Sequence, residues 1–284
     1  MNRTRALLLA AAVPLLIVVG LLASAALDGG GGDPPPPQAT TARDFDDARA
    51  QPRPRLPPFV PPGARRDDVG RGPRGAAIFR PRDAGGPGPV VIFLHGWIAV
   101  DPAFYGSWIG HLVRSGATVI YPAYQEAPFL DTVTPLANTL AALRLALARV
   151  RPAPGRLVVA GHSAGGALAA DYAASARAAG LPSPAAVFSV YPGRSLRGIP
   201  LRLRAVSARR IPVGTRVLVF GGAGDRLVGT RVARTIARTA TRARTTLRIV
   251  REPGVDDHGA PQRSGRASRR TFWAPLDRLI AATG

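Results

Sequence analysis

The chain has 284 residues, enough for one α/β domain with extensions. It contains no cysteine, which excludes disulfides, thiolate metal sites and a cysteine nucleophile. Its 38 basic residues are all arginine and face 17 acids, for a formal charge of +21. A surface that positive attracts anionic lipids and polyanions. Arginine-only basicity with abundant alanine, glycine and proline also fits a GC-rich genome, so part of the charge reflects codon usage.

The N-terminus reads as an export segment. Arg3 and Arg5 form a basic region ahead of Ala6–Leu27, which carries no charge, and Ala23-Ser24-Ala25 fits a small-x-small cleavage site. The run is close to the roughly 20 residues that cross a bilayer, so residues 1–27 are expected to be a cleaved signal or an uncleaved anchor. Either leaves the arginines inside, with the rest secreted or held at the outer face of the cytoplasmic membrane. No cysteine follows to take a lipid, and no Arg-Arg pair precedes the run, which disfavours twin-arginine export. Residues 28–66 hold the Gly29–Gly32 run, the Pro34–Pro37 run and further prolines from Pro52 to Pro62. They are expected to form a disordered tether stiffened by polyproline segments.

From about Asp67 to Gly284 the pattern alternates. Strands are expected over Ala76–Phe79, Val90–Leu94, Thr118–Tyr121, Leu157–Ala160, Ala186–Val190, Arg216–Phe220 and Thr246–Val250. Helices are expected over Tyr105–Arg114, Val133–Val150, Ala164–Ala179, Gly229–Ala243 and Thr271–Ala282. Continuous Val/Ile/Leu strands joined by crossover helices predict an α/β fold: a mostly parallel, doubly wound sheet with helices on both faces. The connection between Val190 and Arg216 is too short for a large lid domain. Between Arg194 and Arg251 fifteen arginines face the single acid Asp225. Arg231, Arg234, Arg238 and Arg242 recur at helical spacing, which reads as the solvated face of an amphipathic helix or as an anion-binding surface. No interleaved aromatics or zinc-finger spacing accompanies them, so nucleic acid is not expected as a partner.

The chemistry centres on Gly161-His162-Ser163-Ala164-Gly165-Gly166, between the apolar run Leu157–Ala160 and a helix. A serine at a sharp strand-to-helix turn is pushed outward beside free backbone N–H groups, and glycines two residues either side avoid Cβ collisions. In parallel sheets, sites form where strands end at their carboxyl termini. His95-Gly96-Trp97 follows one strand, Ser163 another, Asp225 a third, and His258 the last. This Ser…Asp…His order resembles the α/β-hydrolase superfamily over about residues 76–284, in a serine esterase or lipase-like, exported bacterial form.

The resemblance implies Ser163 as nucleophile, His258 as general base and Asp225 as its orienting acid. It places oxyanion-hole N–H groups on Trp97 and Ala164. Serine needs a base to take its proton, histidine does this near neutral pH, and a carboxylate fixes its tautomer. The other histidines read as structural: His95 in the oxyanion loop, His162 packed at the elbow, His111 on a helix. Asp256 and Asp257 directly precede His258 and would struggle to fold back onto its ring. Asp171, in the helix after Ser163, reads as solvated or paired with an arginine.

Trp97, Phe104, Tyr105, Tyr124, Phe129 and Tyr191 fall near strand ends and are candidates for an apolar acyl groove, or for loop packing. An exported enzyme with an open site fits a carboxylesterase or a lipase-like or cutinase-like enzyme acting on small or polymeric esters. The missing cysteines set it apart from disulfide-bearing lipases and cutinases, and Ser163 from the cysteine-using dienelactone hydrolases. Alternatives are a thioesterase, lysophospholipase or peptidase on the same triad, a cofactor-free haloperoxidase, or a non-catalytic protein binding anionic envelope polymers. No cofactor and no metal are expected, since no ligand spacing appears and no lysine is present for a phosphate loop.

Overall fold

The computed structural model describes residues 58–83, 86, 88–195 and 202–283. The expected export segment, and the expected tether up to residue 57, lie outside these residues. No helix among the described residues is long and apolar enough to cross a membrane.

Eight strands form one sheet: β1 (Ala64–Val69), β2 (Ala76–Pro81), β3 (Val90–Leu94), β4 (Thr118–Pro122), β5 (Leu157–His162), β6 (Ala186–Val190), β7 (Arg216–Gly222) and β8 (Arg244–Val250). Their spatial order is β1-β2-β4-β3-β5-β6-β7-β8. The β1–β2 and β2–β4 pairs are antiparallel, and all others are parallel. β3, β5 and β6 are buried along their whole length, as a sheet covered on both faces requires.

Five helices cover the sheet: α1 (Gly106–Arg114), α2 (Pro135–Arg149), α3 (Ala164–Ser175), α4 (Arg231–Thr239) and α5 (Ala274–Ala281). On one face Trp108, Ile109 and Leu112 of α1 and Leu276 of α5 meet Val91, Phe93, Val158 and Phe188. On the other, Leu143 and Leu147 of α2, Leu168 of α3 and Ile236 of α4 meet Ile92, Val159 and Val219. α3 is buried from Ala164 to Ala173, so its alanines and glycines let it lie close against the central strands. The 191–215 connection holds an isolated bridge between Ser195 and Arg202 and a three-residue 3-10 turn, Ala208–Arg210, among its described residues, and no lid domain.

Three elements differ from expectation. The folded part begins before Asp67: Phe59 packs edge-on to Phe79, and β1 starts at Ala64. The strand was hidden because Ala64–Val69 reads Ala-Arg-Arg-Asp-Asp-Val, an edge segment whose charges, apart from the half-buried Arg66, stay in solvent. The arginine-bearing helix is shorter than expected, ending at Thr239, so Arg242 lies in the turn that returns the chain to β8. The closing helix begins with an α turn at Arg266–Ser268 and passes through a π turn over Arg269–Trp273. Pro275 follows it, and a proline ring has no N–H and crowds the carbonyl four residues back, which the wider turn relieves.

Candidate active site

Ser163 sits at the end of β5 with φ 57° and ψ −123°, a conformation side-chain-bearing residues rarely adopt. The surroundings impose it. A Cβ on Gly165 would lie 2.0 Å from the Leu94 carbonyl oxygen, and one on Gly161 would lie 2.2 Å from that of Gly165. Ser163 N–H donates to the Val190 carbonyl, while the Ser163 carbonyl accepts from the N–H groups of Gly193 and Ala167. The turn is therefore held from β3, β6 and α3 together.

Strain of this kind collects along one edge of the sheet. Non-glycine residues with positive φ include Ile98, Tyr124, Ser163 and Tyr191, which follow β3, β4, β5 and β6. Backbone strain costing about 1–3 kcal/mol per residue persists only where neighbours enforce it.

The structure brings Ser163, His258 and Asp225 together. His258 Nε2 lies 2.9 Å from Ser163 Oγ, and His258 Nδ1 lies 2.7 Å from Asp225 Oδ2. The other carboxylate oxygen, Oδ1, accepts from the N–H groups of Leu227 and Val228, each at 3.0 Å. The Asp225 side chain is fully buried, whereas that of His258 is 16% exposed and open to an incoming molecule. A carboxylate only accepts, so Nδ1 of the neutral ring carries the proton and Nε2 is free to accept from the serine. Glycine makes this approach possible: a Cβ on Gly222 would lie 2.1 Å from the Asp256 carbonyl oxygen.

Of the two acids beside His258, Asp257 is engaged elsewhere. Asp257 accepts from Arg263 and from the N–H of Gly259. Asp171 is not solvated: its fully buried carboxylate receives both terminal nitrogens of Arg194 at 2.7 and 2.8 Å, and the Val206 N–H at 3.1 Å. Burial pushes its carboxyl above the usual range, and Arg194 pulls against that shift. These bonds hold Arg194 and Val206 to α3.

Trp97 and Ala164 line one pocket with Ser163, Thr132, Gly193 and Leu203. In the loop after β3, Gly96 N–H donates to the Tyr105 hydroxyl, Ile98 N–H to Gln125 Oε1 and Ala99 N–H to the Gly96 carbonyl. Among the described residues the Trp97 N–H has no acceptor, and neither does that of Ala164, the first residue of α3. Two free N–H groups thus border the pocket that holds the serine, one of them at a helix N-terminus where partial positive charge gathers.

Of the two readings open for the aromatics, groove wall or loop packing, the structure gives loop packing to Tyr105, Tyr124 and Tyr191. Only Trp97 of the six aromatics lines this pocket, and Phe129 lines a separate one. Tyr105, Tyr124 and Tyr191 are buried, and each hydroxyl holds a loop. Tyr124 donates to the His95 carbonyl at 2.6 Å, and Tyr191 to that of Val255. Tyr121 acts likewise on the Ala99 carbonyl at 2.5 Å. Tyr121, Gln125 and Thr132 are what sequence reasoning missed, whereas the loop-packing alternative covered Tyr105, Tyr124 and Tyr191. An aromatic at a strand end is the same signal for a groove wall and for a strut.

His95 lies between Tyr124 and Tyr121, with ring centroids 4.1 and 5.3 Å away. Its two nitrogens face the carbonyls of Gly96 and Ala123 at 2.6 and 2.7 Å. Burial pushes its pKa down to about 4, against the pull of those carbonyls. The neutral ring donates to one carbonyl only. His111, on α1, is half-buried and paired with Asp277 at 2.9 Å.

No group of three or more His, Cys, Asp or Glu residues suited to a metal occurs among the described residues. In sequence, a model of the α/β-hydrolase-fold family matches residues 91–217, and no curated protein matches the chain. Among solved structures, a thermostable esterase from Pseudomonas putida is similar at 18% identity and TM-score 0.59, covering 78% of this chain and 84% of that one. Esterase B from Lactobacillus rhamnosis, inhibited by a tributyrin phosphonate, is similar at 16% identity and TM-score 0.58, covering 94% and 95%. A putative dienelactone hydrolase from Klebsiella pneumoniae is similar at 21% identity and TM-score 0.54, covering 73% and 92%. The sheet order, the turn at Ser163 and the family match agree: residues 91–217 match the α/β-hydrolase family, and the described domain has the α/β-hydrolase fold.

Proposed function

We propose that the protein is a serine hydrolase that cleaves carboxylic esters through an acyl-enzyme on Ser163. One observation carries the reading: the hydrogen-bonded line from Ser163 Oγ through His258 to the buried carboxylate of Asp225, at 2.9 and 2.7 Å. In the reaction, Ser163 Oγ bonds to the ester carbonyl carbon while its proton passes to His258 Nε2. The oxygen gains negative charge, and the N–H groups of Trp97 and Ala164 are the donors that receive it. Asp225 stabilises the imidazolium, which then protonates the departing alcohol. Water, giving its proton to the same nitrogen, attacks the acyl-enzyme, and Ser163 leaves with the proton restored. The esterases of similar fold support ester hydrolysis as the reaction class. The absence of a lid domain among the described residues supports bulky or polymeric esters reaching the serine.

Treating the purified protein with p-nitrophenyl esters of increasing chain length, beside acyl-CoA and aminoacyl substrates, tests the class. Ester turnover that vanishes in Ser163→Ala is expected. Preference for thioester or amide would move the reading to the corresponding alternative.

For the rest of the chain, we propose that residues 1–27 direct export and 28–57 tether the domain outside the cytoplasmic membrane. Membrane fractionation of a C-terminally tagged chain, with protease added to intact cells, checks this. An anionic envelope or lipid surface is the partner that fits the arginines of α4 and β8, which form no ion pair among the described residues. Binding to anionic but not zwitterionic vesicles, lost on replacing Arg231, Arg234 and Arg238 by glutamine, is the expected outcome.

A further inference from the structure

Two polar side chains beside the triad, Tyr105 and His162, have no part in the acyl transfer described above. Each is 2% exposed. A buried polar pair is retained only if its hydrogen bonds are satisfied, and theirs admit one assignment. His162 Nε2 lies 2.9 Å from the backbone carbonyl oxygen of His258. A carbonyl only accepts, so Nε2 carries the proton. Nδ1 is then bare and accepts from the Tyr105 hydroxyl at 2.8 Å. With its proton so directed, that hydroxyl accepts the Gly96 N–H at 3.0 Å.

The result is one directed chain: Gly96 N–H to Tyr105, Tyr105 to His162, His162 to the His258 carbonyl. It links three loops carried by three strands. Gly96 precedes Trp97, His162 precedes Ser163, and His258 is the base itself. The groups are tightly gathered, since a Cβ on Gly96 would lie 3.1 Å from the Tyr105 hydroxyl, 3.5 Å from His162 Nδ1 and 3.5 Å from Ser163 Cβ.

We propose that Tyr105 and His162 are positioning residues that fix the oxyanion loop and the base loop against the serine turn, so that Trp97 N–H and His258 Nε2 hold their places relative to Ser163 Oγ. The proposal rests on the serine-hydrolase reading above. The chemistry favours a neutral donor at 162. His258 becomes cationic when it takes the serine proton, and its ring centroid is 4.9 Å from that of His162. A second cation there would oppose that step. Burial, and then the charge of His258, hold His162 well below the ordinary histidine range.

The test combines two substitutions with a spectroscopic readout. Tyr105→Phe keeps the ring that packs on Phe93 and removes only the hydroxyl. It should lower kcat by roughly 10- to 100-fold with little change in KM, the signature of a misplaced reacting group. His162→Gln keeps one donor and one acceptor and should retain more kcat than His162→Leu. In the ¹⁵N-histidine spectrum of the wild-type full chain, His162 should show the Nε2–H tautomer and should not titrate between about pH 5 and 9, where an unperturbed histidine, with pKa about 6.5, does.

Folded Tyr105→Phe and His162→Leu proteins with wild-type kcat would overturn the proposal. So would a His162 that titrates in that range or carries its proton on Nδ1. If His162→Leu does not fold, Tyr105→Phe and the spectrum decide. Fluorophosphonate labelling of wild-type Ser163, read in parallel, separates the two readings: its absence removes the serine hydrolase itself, whereas labelling with an unlocked His162 removes only the positioning role.

Discussion

The carboxyl edge of the sheet and its arginine-rich flank use polar residues in opposite ways. At the edge, Ser163, Asp225, His162, Tyr105 and Asp171 are buried, and each has named partners at hydrogen-bond distance. On the flank, Arg231, Arg234 and Arg238 of α4 and Arg244 and Arg248 of β8 are exposed. A buried polar group that loses its partner bears a desolvation penalty of about 1–3 kcal/mol, and more if charged, while an exposed one exchanges its partner for water. The flank thus carries exposed positive charge, whereas the edge keeps its polar groups buried and paired.

Substitutions can break this contrast, and the largest effects belong to the edge. Ser163→Ala should lower kcat by roughly 10⁴- to 10⁶-fold while the thermal melt stays near wild type, as measured by ester hydrolysis and calorimetry. Asp225→Asn should follow at roughly 10⁴-fold, because an amide facing Nδ1 favours the wrong tautomer. Asp171→Ala leaves the half-buried Arg194 without its carboxylate and should cost about 3 kcal/mol in urea unfolding.

Acidification acts through the same buried groups. The pKa of His95 is lowered by burial to about 4 in the folded protein, below its ordinary value of 6.5. Between those values the unfolded chain binds a proton that the folded one does not, so stability falls as pH drops through this window. The loss attributable to His95 reaches about 3 kcal/mol by pH 4, and His162 acts in the same direction. Urea titrations at several pH values read this directly. The smallest effect belongs to the flank: Arg234→Gln with Arg238→Gln should change stability by no more than about 0.5 kcal/mol and leave kcat unaltered.

Much of the frame was legible because it follows from periodicity. The runs Val90–Leu94 and Ala186–Val190 emerge as strands with the bounds read from their apolar character. Ser163, Asp225 and His258 were readable as strand-end residues in a particular order, and the fold brings those three side chains into one hydrogen-bonded line. Their catalytic roles remain the proposal made here. For the tyrosine struts, loop packing was one of two open readings, but their partners were not legible. Tyr124 and Tyr191 bond to carbonyls 29 and 64 residues away in sequence, and those distances close only in three dimensions. His162 was readable as a packing residue, but its link to Tyr105, 57 residues distant, was not. β1 escaped for a different reason, because an edge strand paired on one side needs no apolar alternation.

The central claim is that Ser163 is a nucleophile activated by His258. Intact-mass and peptide analysis after fluorophosphonate treatment tests it most directly. The account predicts one adduct per folded chain, on the peptide containing Ser163, absent in Ser163→Ala and greatly slowed in His258→Ala. A folded wild-type protein that hydrolyses esters yet takes no label on Ser163 would contradict it.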